Sequence, residues 1–169
     1  MPSPDLSRVP SYYHNYIKKV GQDDLTEALQ DHQISLVSYL EALPDERWSY
    51  RYAEGKWSIK EMVQHIIDAD RIFAYRALTF ARQDKTPLPG FEENDYATVS
   101  EADRREPESL LAELKLVQAS TVALFASFSP NQLQSEGIAN GNPVYVEAIG
   151  FIMVGHSLHH LSILKERYI

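Results

Sequence analysis

Cysteine is absent from the 169 residues. Its absence excludes disulfides, thiolate metal ligands and a cysteine nucleophile together, and it fits a cytoplasmic protein. Cations are scarce as well: 16 Lys and Arg stand against 24 Asp and Glu, a net charge of −8. A nucleic-acid surface needs a positive footprint that this balance does not supply, so no nucleic-acid partner is expected. No apolar run reaches the ~18 uninterrupted residues of a membrane span, and no membrane partner is expected either. The opening Met1-Pro-Ser-Pro-Asp-Leu6 lacks the paired basic and apolar regions of a secretory signal. Internal repeats and low-complexity tracts are also missing. What remains is the composition of a soluble globular protein, 44% apolar and 24% charged, at a length that suits one core. We expect a single domain over residues 1–169, with about 1–22 as an N-terminal extension.

Helical periodicity runs through most of the chain. From Asp24 to Leu43 apolar residues recur at Leu25, Leu29, Leu36, Leu40 and Leu43, and Pro44-Asp45 stops the pattern. Trp48, Tyr50, Tyr52, Gly55 and Trp57 mark an aromatic connecting loop. Ser58-Ile-Lys-Glu61 has the form of a capping box and opens a long helix to about Arg82. The pair of prolines in Lys85-Thr-Pro-Leu-Pro-Gly90 ends helical structure. The polar stretch from there to Glu106 is long for a structureless loop, a length that often carries function. Pro107 suits the first position of a third long helix, which Ser129-Pro130 ends. Asn140-Gly141 reads as a turn, and Asn142-Pro143 as the N-cap and first residue of a last helix to about Tyr168. Four amphipathic helices in one chain predict an all-α four-helix bundle, and two long connections argue against simple up-down-up-down order.

Six histidines are distributed unevenly, and three could meet on one metal ion. His156 and His160 are spaced i,i+4, which stacks them on one helix face. Both continue the inward stripe of Ile149, Ile152 and Met153. His65 lies on the inward stripe of the capping-box helix with Met62, Ile66, Ala69 and Phe73. Three imidazoles from two facing helices would leave a coordination position open to water or substrate, as catalytic zinc sites do. His159 could pair with His156 instead, although His160 lies nearer the stripe. His32 falls near the inward face of its own helix, as a structural residue or a neighbour of the site, and His14 is expected to be exposed. Ser157 stands where the H-E-x-x-H of zinc proteases needs its glutamate, so that mechanism is disfavoured.

Other residues are candidates for supporting roles. Arg76 follows His65 by three helical turns and returns to nearly the same face, where a guanidinium seeks either a buried carboxylate or an anionic substrate group. Glu61 caps its helix one turn before His65 and could also accept an imidazole N–H; Asp68 is a weaker candidate of that kind. Arg71 and Arg82 point elsewhere, to the surface or to loops. Tyr75 and Trp57 read most simply as packing residues.

The order and spacing of Gly55-Lys-Trp-Ser-Ile-Lys-Glu61 with His65, Arg71 to Arg82, Pro87-Leu-Pro-Gly-Phe91 and Gly155-His-Ser-Leu-His-His160 resemble the DinB-like superfamily, which includes the YfiT-like metal-dependent hydrolases. The resemblance covers nearly the whole chain. It implies a bundle with a long crossover, often a homodimer, and a divalent metal, commonly zinc or nickel. The metal would be held by one histidine of the second helix and an H-x-x-x-H pair of the last, which here are His65, His156 and His160. Some members of the group transfer sulfur from a low-molecular-weight thiol. By that analogy alone a thiol-dependent S-transferase is slightly preferred to a hydrolase of a small-molecule substrate. Non-catalytic metal binding and a helical interaction module are the readings outside enzymology.

Overall fold

Side-chain caps open two of the four long helices of this chain. The computed structural model describes residues 4–168, so the first three residues of the expected N-terminal extension, and Ile169, lie outside the description. In order come α1 (His14–Ile17), α2 (Leu25–Glu41), α3 (Ile59–Ala81), α4 (Glu93–Val99), α5 (Pro107–Ala126), α6 (Pro130–Leu133), a hairpin of β1 (Glu136–Ala139) and β2 (Asn142–Tyr145), and α7 (Val146–Arg167). The Asp24 carboxylate accepts the Glu27 amide at 3.0 Å and opens α2. Ser58 and Glu61 form the reciprocal capping box of α3. Pro107 begins α5, where its missing N–H would have no intrahelical partner in any case.

The four long helices form the bundle. Helix α3 packs on α7 and α5, and α2 packs on the same two, so α2 and α3 sit across a diagonal. The core divides into two apolar clusters. One holds Leu29, Phe73, Phe80, Phe125, Ile149 and Met153; the other holds Leu36, Leu40, Ile66, Leu114, Leu161 and Leu164. Helices α2 and α7 run from the first cluster to the second, whereas α3 and α5 run back from the second to the first. Parallel neighbours require crossovers, and residues 82–106 supply the one between α3 and α5.

Between the two clusters each long helix carries a buried polar residue that is not fully hydrogen-bonded, namely His32, Asp70, Gln118 and Ser157. Each has at least one side-chain atom without a hydrogen-bond partner. The histidines of α3 and α7 lie in the same stretch of their helices, so a polar belt crosses the bundle at mid-height.

The chain before α7 differs from the sequence expectation. Asn142-Pro143 does not start a helix but lies in β2, and α7 begins three residues later at Val146. Asn140 and Gly141 both take positive φ, 51° and 73°. Two such residues make the two-residue turn whose twist matches a hairpin, and this closes β1 onto β2. Pro143 is tolerated because β2 is an edge: Leu88 bridges to Ala139 on the far side of β1. The polar stretch after Gly90 is also not a plain loop, since it contains α4 and a 3-10 turn at Ala102–Arg104.

Residues 4–22 lie against the bundle, with α1 packed on α7. A side chain at Gly155 would meet the Tyr16 carbonyl oxygen at 2.1 Å. Glycine at that position therefore lets α1 seat its backbone directly beside His156.

Candidate metal centre

One residue of α3 and two of α7 converge where these helices pack. The Nε2 atom of His156 lies 2.9 Å from Nε2 of His65 and 3.0 Å from Nε2 of His160. The ligand atoms of the three all lie within 4.8 Å of one another. Their residues are 8%, 6% and 8% exposed for His65, His156 and His160. Imidazoles bonded at 2.0–2.1 Å in a tetrahedral shell would have nitrogens about 3.3 Å apart, close to what is seen. The donors thus fit a divalent ion of the kind imidazole suits.

Burial sets their protonation. It pushes His65 down to about 4, with the Glu93 charge acting against it. His156 and His160 fall well below the ordinary histidine range, first through burial and then through the neighbouring imidazoles. All three are therefore neutral at pH 7, the form that ligates metal. The outer nitrogens, Nδ1 of His156 and His160, are buried with no hydrogen-bond partner. Metal-binding histidines commonly donate this N–H to a carboxylate, which makes the imidazole a stronger base.

A cavity of about 440 Å³ opens onto the three imidazoles. Tyr13, Tyr16, Trp57, Phe73 and Phe91 form much of its wall. The Trp57 ring lies 4.8 Å from that of His65, and Tyr16 stands edge-on to His156 at 5.6 Å. Glu93 is the carboxylate of the lining among the described residues. Burial raises the Tyr13 phenol to about 12, so it remains a hydroxyl at any working pH.

The structure separates the residues singled out in sequence. His160, not His159, joins the cluster; His159 borders the cavity with its ring 5.4 Å from Tyr16. Arg76 lines the cavity. Glu61 does not reach a histidine: its carboxylate accepts the Ser58 amide at 2.8 Å and pairs with Arg51. Asp68 accepts from Gln64 at 2.9 Å. Arg71 ties α3 to Glu113 of α5 at 2.5 Å. Arg82 lies over the Phe128 ring at 5.8 Å. Two expectations fail, for Tyr75 and His14. Tyr75 is 60% exposed and does not pack in the core. Trp57 does pack, but on the His65 ring at the cavity wall. His14 is half-buried, with Nε2 at 2.9 Å from the Val9 carbonyl. Glu93 and the tyrosines of residues 12–16 escaped the sequence reading because they lie on short or irregular segments with no periodicity to mark a face.

Comparison with known proteins adds a family to this geometry. A profile described as the DinB superfamily matches residues 28–164. A provisionally named metal-dependent hydrolase of Oceanobacillus iheyensis is 27% identical, over 88% of this chain and 87% of its own length. One from Geobacillus thermodenitrificans is 25% identical, over 80% and 77%. The Bacillus subtilis protein YfiT, named in the same provisional way, is 21% identical, over 89% and 85%. The solved structure of YfiT is described as a probable metal-dependent hydrolase with an unusual four-helix bundle topology. It superposes with a TM-score of 0.72 at 18% identity, covering 98% of this chain and 90% of that one.

Proposed function

This chain belongs to the DinB superfamily, and on that footing we propose that it is a metal-dependent hydrolase of a small-molecule substrate. The observation that carries the reading is the convergence of three neutral imidazoles at one end of an aromatic-walled cavity. His65, His156 and His160 would hold the ion, with zinc or nickel proposed because both accept imidazole ligands. A bound ion would supply Lewis acidity and lower the pKa of a coordinated water towards ~7.

The chain's own groups do the rest. The Glu93 carboxylate takes the proton of the attacking water and returns it to the leaving group. Trp57, Tyr16 and Phe91 exclude bulk solvent and hold an apolar substrate body. The thiol-dependent transfer favoured by the resemblance finds no support among the relatives, which carry hydrolase names. Hydrolysis therefore takes precedence. A cytoplasmic homodimer also remains a proposal from the resemblance, and sedimentation velocity reads its stoichiometry.

The test uses tag-free protein loaded with zinc or nickel and a panel of esters and amides, each with and without a low-molecular-weight thiol. The expected result is thiol-independent hydrolysis that chelation abolishes. Glu93→Gln should lower turnover about 10²–10⁴-fold while leaving metal content unchanged. Product formed only when thiol is present would assign the site to transfer instead.

A further inference from the structure

Arg76 is the one buried arginine among the described residues, 4% exposed, yet it forms no ion pair there. The arginines that do pair with carboxylates, Arg8, Arg51, Arg71, Arg104 and Arg105, have side chains 26% to 77% exposed. Solvent already stabilises those charges, and their pairing contributes little. In a chain with 24 acidic residues, no carboxylate among the described residues pairs with this buried guanidinium, although an unpaired buried charge is costly. Among those residues, Glu93 is the one acid on the wall of the cavity it borders.

Local contacts satisfy only part of this group. One terminal nitrogen donates to the Pro89 carbonyl at 2.9 Å. The guanidinium carbon lies 5.5 Å from the Phe73 ring centroid. The Tyr13 hydroxyl, on the same cavity wall, is a second partner. Since a guanidinium has five N–H donors in a rigid planar fork, donors remain for a further acceptor. The residue borders the same cavity as the histidines. Phe73 in turn lies 6.3 Å from the His156 ring, so a single aromatic ring separates the guanidinium from a metal-facing imidazole. On the other side, the Asn140 side chain presses on Gly90, where a Cβ would meet its Oδ1 at 2.3 Å. Asn140 and Arg76 thus flank the Pro89-Gly90 segment, and both reach the cavity.

We propose that Arg76 is a specificity residue that docks a carboxylate carried at the far end of the substrate. The proposal rests on the hydrolase reading only in that the same cavity receives the substrate. The substrate class is a small molecule with a planar anionic terminus at Arg76, an aromatic or aliphatic body against Phe73, and its hydrolysable bond at the histidines. The spacing demands that the anion be several bonds from the reacting atom. A carboxylate suits because two parallel N–H···O bonds match its geometry.

Binding tests this without turnover. Metal-free protein is titrated with 4-phenylbutyrate and with 4-phenylbutyramide, followed by calorimetry and amide NMR shifts. The acid should bind at least about ten-fold more tightly than the amide, a preference of ~1.4 kcal/mol, with shifts centred on Gly90 and Asn140. Arg76→Gln should erase the preference, and Arg76→Lys should keep only part of it, as a point charge without the fork. The parent acid-to-amide ratio decides the matter even if Arg76→Gln does not fold. Equal binding of acid and amide, no saturable binding of the acid, or a preference that survives in Arg76→Gln would overturn the proposal. A separate arm compares hydrolysis of 4-acetoxyphenylacetate and its amide by zinc-loaded protein, each giving acetate and the free phenol. A ten-fold higher kcat/KM for the acid, carried by KM, supports the docking role. Turnover of neither ester counts against the hydrolase reading alone, because the binding arm stands apart from it.

Discussion

His156 stands at the middle of the candidate centre, with its Nε2 the near neighbour of both other ligand nitrogens. Removing it leaves two imidazoles with no shared partner, too few to hold an ion firmly. His156→Ala should therefore abolish stoichiometric zinc binding measured by competition with a chromophoric chelator, whereas His159→Ala should weaken it less than ten-fold. Comparable losses in both variants would mean that His159 is a ligand and the geometry is misread. At this scale the trio was legible because helical spacing ties residue number to face: i,i+4 placed His160 over His156, and the capping box fixed the phase of His65. Glu61 was read correctly as the cap of its helix, but the imidazole partnership offered beside that role is not seen, for a related reason. Spacing put it one turn from His65, but spacing cannot show that Arg51, from a loop with no periodicity, would claim its carboxylate. Arg76 was placed correctly on its face, yet only the packed structure shows that no acid meets it.

Among the elements, the polar belt between the two apolar clusters has an energetic consequence that depends on pH. Burial pushes the Asp70 carboxyl up to about 7. The unfolded chain releases that proton near 3.8, the folded chain near 7. Below pH 3.8 both states keep it and Asp70 does no harm. Between the two values the unfolded state is the more ionised, so stability falls as pH rises, and above 7 the full penalty is present. Asp70→Asn removes the charge while keeping the shape. Its advantage over the parent, from urea denaturation, should grow from near zero at pH 4 to roughly 2–4 kcal/mol at pH 8. The same difference at both pH values would refute the assignment of that penalty to Asp70. The belt was hidden in sequence, since His32, Asp70, Gln118 and Ser157 are single polar residues on helices rich in them. Only the register of four packed helices puts them between the clusters. The hairpin was half legible: Asn140-Gly141 gave the turn, but four-residue strands carry too short an alternation to separate from a helix start.

The whole molecule is an all-α bundle whose parallel neighbours, α2 with α7 and α3 with α5, require long connections. Segments outside the four long helices wall the cavity. Residues 47–57 bring Trp57, residues 85–91 bring Phe91 and the Pro89 carbonyl, and the N-terminal segment brings Tyr13 and Tyr16. Periodicity predicted the helices, because apolar stripes are local, and the length of two connections pointed away from simple up-down-up-down order. Neither could predict which helices are diagonal or that segments outside them wall a site, because those are contacts between segments with no repeating pattern.

The most direct measurement is X-ray absorption at the zinc edge on tag-free protein reconstituted with one equivalent of zinc. The structure predicts one tightly held ion per chain with three imidazole nitrogens at about 2.0–2.1 Å and a lighter oxygen scatterer completing the shell. A protein that retains no zinc, or a bound ion with fewer than three imidazoles, would contradict the account.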